Sequence, residues 1–189
     1  MIVCTVNMSY NSPVLVVVDS AASLPESLDG KSCPLVVPMQ IVINGKTYLD
    51  GCDLSTREFY AMLSNLTTPT FTSAPSPASF FQAFLELGKT SSSILCVTVS
   101  LNFSASYNAA RKAASEVKQL RPELKVAVLD SQSAAGAQGL VALEACRAAE
   151  RGDSYEMVID AAQTVIQEVS LLAFPETLDY LWQSGRMPR

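Results

Sequence analysis

Residues Ser92 to Leu120 read SSILCVTVSLNFSASYNAARKAASEVKQL. The first nine, Ser92 to Ser100, form a short apolar run rich in β-branched residues, which suits a strand covered on both faces, as in a parallel sheet. From Ser104 the pattern changes to a helix that runs to Leu120. A buried strand passing through a hydroxyl-rich turn into a helix is half of a βαβ unit. The same kind of strand recurs at VLVVVDS (Val14 to Ser20) and at KVAVLDS (Lys125 to Ser131), both ending in Asp-Ser. An Ala-rich helix follows from about Ala134 to Arg151, closed by Gly152, and another from Ser154 to about Val169. The expected fold class is therefore α/β: a parallel or mixed β-sheet with helices on both faces.

Between the first two strands lies PLVVPMQIVING, with strand character and a turn at Asn44-Gly45. Ser55 reads as a helix N-cap, with Glu58 completing a capping box. Pro77 to Leu87 reads as a helix closed by Gly88. SLLAF (Ser170 to Phe174) is expected as a final strand, and PETLDYLWQSGR (Pro175 to Arg186) as a short helix with Gly185 beyond its end.

The 189 residues are 49% hydrophobic and 16% charged, the composition of a compact globular chain rather than a disordered one. A formal net charge of −5 argues against broad binding to nucleic acid or acidic membranes. No apolar run approaches the roughly 20 residues needed to span a bilayer, so no stable membrane insertion is expected. The N-terminus lacks the basic region and long apolar core of a signal peptide. Cys4, Cys33, Cys52, Cys96 and Cys146 are odd in number and form no C-x-x-C pair. They read as small buried hydrophobes in a reducing compartment, which points to the cytoplasm. The chain has no histidine. A Ser-His-Asp or Cys-His catalytic site, or a His-ligated metal site, cannot be built from it alone. No metal and no cofactor are expected.

Gly-Lys-Ser/Thr occurs at Gly30, Gly45 and Gly88, but the glycine that a phosphate loop needs five positions earlier is replaced by Pro25, Gln40 and Ala83. All three read as turns. In α/β sheets ligands gather beyond the carboxyl ends of the strands. The segments that follow these strands, DSAAS, SLNFSAS and DSQSAAG, are rich in hydroxyls and converge on one site. Thr72, Ser73 and Ser76 stand just before the helix at Pro77, where unpaired amides and the helix dipole favour a carboxylate or phosphate. Capping alone is the simpler use of such residues. Ser100, Ser104 and Ser106 carry the same ambiguity, since local turns absorb hydroxyls too. Arg186 has the planar fork that matches a carboxylate, although an arginine so placed is ordinarily solvated. Tyr107, Tyr180 and Trp182 read as packing residues.

Six segments in register resemble the DegV family of bacterial fatty-acid-binding proteins: VVVDSAASLP, VVPMQIVINGKTYLDGCDLS, TSAPSP, VSLNFSASYNAAR, VLDSQSAAGAQG and TLDYLWQSGR. They correspond to the family patterns D-S-x-x-x-L-P, V-V-P…Y-x-D-G-x-D-L, T-S-Q-P-S-P, S-S-x-L-S-G-T-Y, V-x-D-S-x-S-x-x-x-G-x-G and T-L-x-Y-L-x-x-G-G-R. The resemblance covers almost the whole chain. It implies the α/β domain shared with dihydroxyacetone-kinase and mannose-phosphotransferase domains. It also implies an apolar tunnel for a long acyl chain whose carboxylate is held by Thr72, Ser104 and Arg186, supported by Ser73, Ala105 and Ser106. The protein would then be a binder and not an enzyme. Some members present the lipid to a separate fatty-acid kinase.

This sequence departs from the family pattern at Ala74, Ala105, Ser106 and Ser184, which stand for Gln, Gly, Thr and Gly. By resemblance, residues 1–175 form the α/β domain, and 176–189 form the terminal helix and G-R motif leading to a second domain that is absent. An apolar face exposed where that domain would sit would favour a homodimer. Two other readings stay open at this point: a phosphocarrier or kinase-like domain of the same fold, and an interaction module without a lipid ligand.

Overall fold

The computed structural model describes residues 13–25, 34–63, 65–66 and 68–187; Cys4, Cys33 and the Gly30-Lys31-Ser32 turn lie outside them. The strands are β1 Leu15–Asp19, β2 Leu35–Val37, β3 Gln40–Ile43, β4 Lys46–Leu49, β5 Phe71–Ser73, β6 Ser93–Thr98 and β7 Lys125–Asp130. The helices are α1 Thr56–Leu63, α2 Pro77–Leu87, α3 Ser106–Leu120, α4 Ala135–Glu150, α5 Tyr155–Glu168 and α6 Asp179–Gln183, with a 3-10 turn at Ser20–Ala22.

Four strands form a parallel sheet in the order β2-β1-β6-β7, with Val17 opposite both Leu35 and Cys96, and Cys96 opposite Val128. Alternation along β1 explains why all five of its residues are buried. Leu15 and Val17 pack with Phe80, Phe84, Ala110 and Val117 of α2 and α3. Val16 and Val18 pack on the opposite face with Val141, Ala142 and Ala145 of α4 and with Val158 and Ala162 of α5. Each large side chain withdrawn from water in this way contributes about 1.5–3 kcal/mol. The Ala-rich sequence of α4 lets it lie close to the sheet on one side and to α5 on the other.

The other strands do not extend this sheet. They form a separate antiparallel sheet, β4-β3-β5, where Ile41 and Ile43 pack with Leu54, Phe59 and Met62. Thr72 and Ser73 stand just before α2, as expected, but outside its first turn. Both belong to β5, paired with Ile41 and Gln40, and Ser76 alone caps α2 by accepting the Ser79 amide at 3.1 Å. The Ser55 capping box forms as expected: the Glu58 carboxylate accepts the Ser55 amide at 2.9 Å, and Ser55 Oγ accepts the Glu58 amide at 3.2 Å. Ser154 caps α5.

Ser170 to Phe174 form no strand. No edge of either sheet receives them, and Leu172 and Phe174 are exposed. Tyr180 and Trp182 are not core residues either; both sit on the exposed face of α6. The reading of the cysteines as buried hydrophobes holds for Cys96 and Cys146, but Cys52 is exposed and disulfide-bonded, which corrects the expectation of uniformly reduced cysteines.

Gly139 shows how closely α4 approaches the end of β1. A Cβ at this position would stand 2.8 Å from the Ala22 carbonyl oxygen of the 3-10 turn. Backbone cannot yield cheaply, so Gly139→Ala is expected to destabilise the fold by about 1–3 kcal/mol. Urea titration followed by circular dichroism measures this directly.

Candidate functional site

The parallel sheet reverses its winding between β1 and β6, because β2 lies on one side of β1 and β6 on the other. That crevice is where α/β sheets collect ligands. Asp19 ends β1 there, fully buried. Its Oδ2 accepts the Val99 amide at 3.0 Å from the segment after β6, and its Oδ1 accepts Gln138 Nε2 at 3.0 Å and the Ala21 amide at 3.2 Å. Burial pushes its pKa above the ordinary 3.8, opposed by hydrogen bonds from Gln138, Val99, Ser106 and Ala21. Burial also raises the Cys96 thiol well above its usual range, with the Asp19 charge adding to the effect.

The next residue, Ser20, joins the two sheets. It donates to Asp50 Oδ2 at 2.6 Å and accepts the Met39 amide at 3.0 Å. On the far side of β6, Asp130 ends β7 and its Oδ1 accepts the amides of Leu101 at 3.3 Å and Gln132 at 2.9 Å. The Ser100 amide bonds the Ser133 carbonyl at 2.8 Å. Three consecutive amides after β6 are thus held by the ends of both neighbouring strands.

This loop carries Ser104. Its amide bonds the Ser100 carbonyl at 3.1 Å, and its Oγ accepts the Ser106 amide and lies 3.2 Å from Ser106 Oγ. Helix α3 therefore begins at Ser106 and not at Ser104, and Ala105 offers its first turn no side-chain cap. Ala105, which stands for a glycine of the family pattern, sits at φ −78°. Any L-residue adopts that conformation, so the replacement carries no backbone strain.

Arg186 arrives from the other end of the chain. Gly185, at φ 71°, takes the left-handed turn after α6, and the Arg186 amide bonds the Leu181 carbonyl at 2.9 Å. Ser184, the other replaced glycine, has an unstrained φ of −86°. The one glycine retained in the motif is thus the one whose backbone requires it. So placed, Arg186 donates through Nε to the Phe103 carbonyl at 3.0 Å and through Nη2 to Thr72 Oγ1 at 3.1 Å.

The structure therefore brings Thr72 and Arg186 into direct contact and places Arg186 against the residue preceding Ser104. Ser106 belongs to the same cluster through Ser104. Ser73 does not join it: strand alternation turns its side chain away, and it donates to Gln40 Oε1 at 3.0 Å. Among the described ion pairs none involves Arg186. Both of its bonded acceptors are neutral, which leaves the cation available to an anion. Thr72, accepting from Arg186, keeps its own O–H to donate. Phe71, Leu101 and Phe103, beside these polar residues in the chain, are exposed. Among the described residues no group of side chains could hold a metal ion, and no helix is long and apolar enough to cross a membrane.

The family model described as "uncharacterised protein, DegV family" matches residues 13–189. The chain belongs to the DegV family. A DegV domain-containing protein of Caldanaerobacter subterraneus subsp. tengcongensis is 33% identical over 176 residues, covering 93% of this chain and 61% of that protein. The chain thus spans about three fifths of the length of that relative. Among solved structures, a DegV family protein from Thermus thermophilus described for its fatty acid binding superposes with a TM-score of 0.78 at 26% identity, covering 92% of this chain and 60% of that one. A Thermotoga maritima protein described as revealing a fatty acid binding function gives 0.77 at 27% identity, covering 94% and 64%. The expected DegV fold is therefore the observed one.

Asp19, Asp130 and Gln138 were not singled out as site residues by the sequence reading. The repeated Asp-Ser at the ends of two strands was the available signal.

Because Asp19 holds its proton more tightly in the native state than in the unfolded chain, its contribution to stability is full below the ordinary Asp value of 3.8. It is lost as pH rises through the raised native pKa. Thermal melts of the wild type and Asp19→Asn across that interval are expected to differ in slope, the wild type losing with rising pH a component of stability that the variant lacks. Identical pH profiles would show that Asp19 titrates normally.

Proposed function

We propose that this DegV chain binds the carboxylate of a long-chain fatty acid through Thr72, Ser104 and Arg186, with Ala105 and Ser106 shaping the loop. The observation that carries the reading is the Arg186 guanidinium held between Thr72 Oγ1 and the Phe103 carbonyl with no described carboxylate paired to it. A charge-assisted, forked contact from Arg186 and hydroxyl donors from Thr72 and Ser104 answer the main cost of drawing a carboxylate out of water. The exposed Phe71, Leu101 and Phe103 suit the start of an acyl chain. Fatty-acid binding by the Thermus and Thermotoga relatives supports the same assignment.

In this reading the protein is a carrier and not a catalyst and hands its lipid to a separate fatty-acid kinase, as the family resemblance implies. Residues 1–175 serve as the α/β domain, and 176–189 bring the G-R arginine to it.

Native mass spectrometry of the purified chain, before and after addition of oleate or palmitate, tests the proposal. A stoichiometric adduct of fatty-acid mass is expected. Thr72→Val with Ser104→Ala removes two donors to a charged group and is expected to weaken binding by about 100-fold, while the melting temperature falls only modestly. Unchanged affinity in the double variant would remove both residues from the site. Failure of the wild type to take up either lipid would instead favour an interaction module.

A further inference from the structure

Asp19 is a carboxylate withdrawn from solvent, with no cation bonded to it among the described residues. Cys96 of β6 is the titratable group that feels its charge. The groups that donate to it from the surrounding elements are neutral: Ala21 of the 3-10 turn, Val99 after β6 and Gln138 of α4, while Ser106 at the start of α3 is near enough to act on its titration. An apolar residue would fill this space at lower desolvation cost, and it would leave those donors unanswered. Two of these groups, Val99 and Ser106, bracket the segment that contains Ser104. Ser106 is itself fully buried, and its Oγ and backbone amide both meet Ser104 Oγ.

The Ser104–Ser106 contact leaves either hydroxyl free to be the donor, and Asp19 supplies a reason for one direction. A Ser106 hydroxyl that donates to the Asp19 carboxylate presents only lone pairs to Ser104. Ser104 Oγ, already accepting the Ser106 amide, then has its own O–H as its remaining donor. That hydrogen turns either to Ser106 or outward to an incoming acceptor. Gln138 Oε1, buried and with no hydrogen-bond partner among the described residues, fits an amide oriented for its Nε2 bond to the carboxylate.

We propose that Asp19 is a positioning residue for the head-group site, fixing through Val99 and Ser106 both the loop that carries Ser104 and the donor direction of its hydroxyl. This rests on the fatty-acid reading for the identity of the ligand but not for the coupling of Asp19 to Ser104. Asp19 does not touch the ligand. Its effect is transmitted, so substitutions along the relay should not add.

The test uses the whole chain, oleate as the probe and circular dichroism to show that each variant is folded. Ser106→Ala is expected to weaken oleate binding about tenfold, the scale of one hydrogen bond to a charged group, and Ser106→Thr, which keeps the hydroxyl, to restore it. Asp19→Asn should weaken binding by a similar factor, and the Asp19→Asn, Ser106→Ala double variant no further. Additive losses, or full affinity in Asp19→Asn, would overturn the proposal.

A second measurement needs no lipid. In the ligand-free wild type, the Val99, Ser104 and Ser106 amide resonances are expected to shift with pH at one common midpoint, and in Asp19→Asn to lose it. Absence of a common midpoint in the wild type would overturn the coupling. A chain that shows the common titration but takes up no oleate would sink the lipid reading and leave the Asp19 relay standing.

Discussion

A carboxylate buried without a cation is tolerated only where donors surround it, and the end of β1 is built to meet that condition. Asp19 draws the Val99 amide, the Gln138 side chain and the Ala21 amide onto its two oxygens. These come from three different parts of the chain: the loop after β6, helix α4 and the turn after β1. Helix α4 reaches this point only because Gly139 has no Cβ to collide with the Ala22 carbonyl. Packing on one face of the sheet is thus set by the same local constraint that shapes the crevice at its carboxyl end.

The loop after β6 connects this buried arrangement to the surface. Its amides at 99, 100 and 101 are taken in turn by Asp19, the Ser133 carbonyl and Asp130. None of the three is left to hold a ligand, so in the proposed carboxylate site recognition falls to the side chains further along, at Ser104 and Ser106, and to the residues that approach from outside. Arg186 is the clearest of these. It ties the loop to β5 from 83 and 114 residues further along the chain, through one backbone carbonyl and one hydroxyl. A guanidinium bonded to neutral acceptors retains its full charge, whereas one locked to a carboxylate would have little left to offer an anion.

The parallel sheet was legible because its strands are short, continuously apolar and followed by helices, a pattern that tolerates few alternatives. The Ser55 cap was equally legible, because capping is a local event. The separate antiparallel sheet was not. A three-residue strand such as Phe71–Ser73 has no periodicity to read, and its existence depends on Ile41 and Gln40, more than thirty residues away. Ser170 to Phe174 failed in the opposite direction: the composition suits a strand, but a strand needs a partner edge, and neither sheet offers one. At the site, Thr72 and Arg186 were named from a motif, yet only the folded chain shows them in contact. Asp19 was hidden by its own burial, since an Asp-Ser step at the end of a strand reads equally well as a turn.

The replaced glycines clarify what the motif requires. Two family glycines are substituted here, by Ala105 and Ser184, and both positions have negative φ in ranges open to any residue. Gly185 lies in the left-handed region, where a side chain would be strained, and it has been kept. If the glycines served mainly to let a ligand approach the backbone, Ala105 would be the damaging change and Gly185 an incidental survivor. The backbone angles favour the reverse order. Gly185 reverses the chain after α6 so that Arg186 turns back on Phe103 and Thr72, while Ala105 adds one methyl at an exposed position. The essential element of the motif is therefore the turn that delivers the arginine, and this chain preserves it.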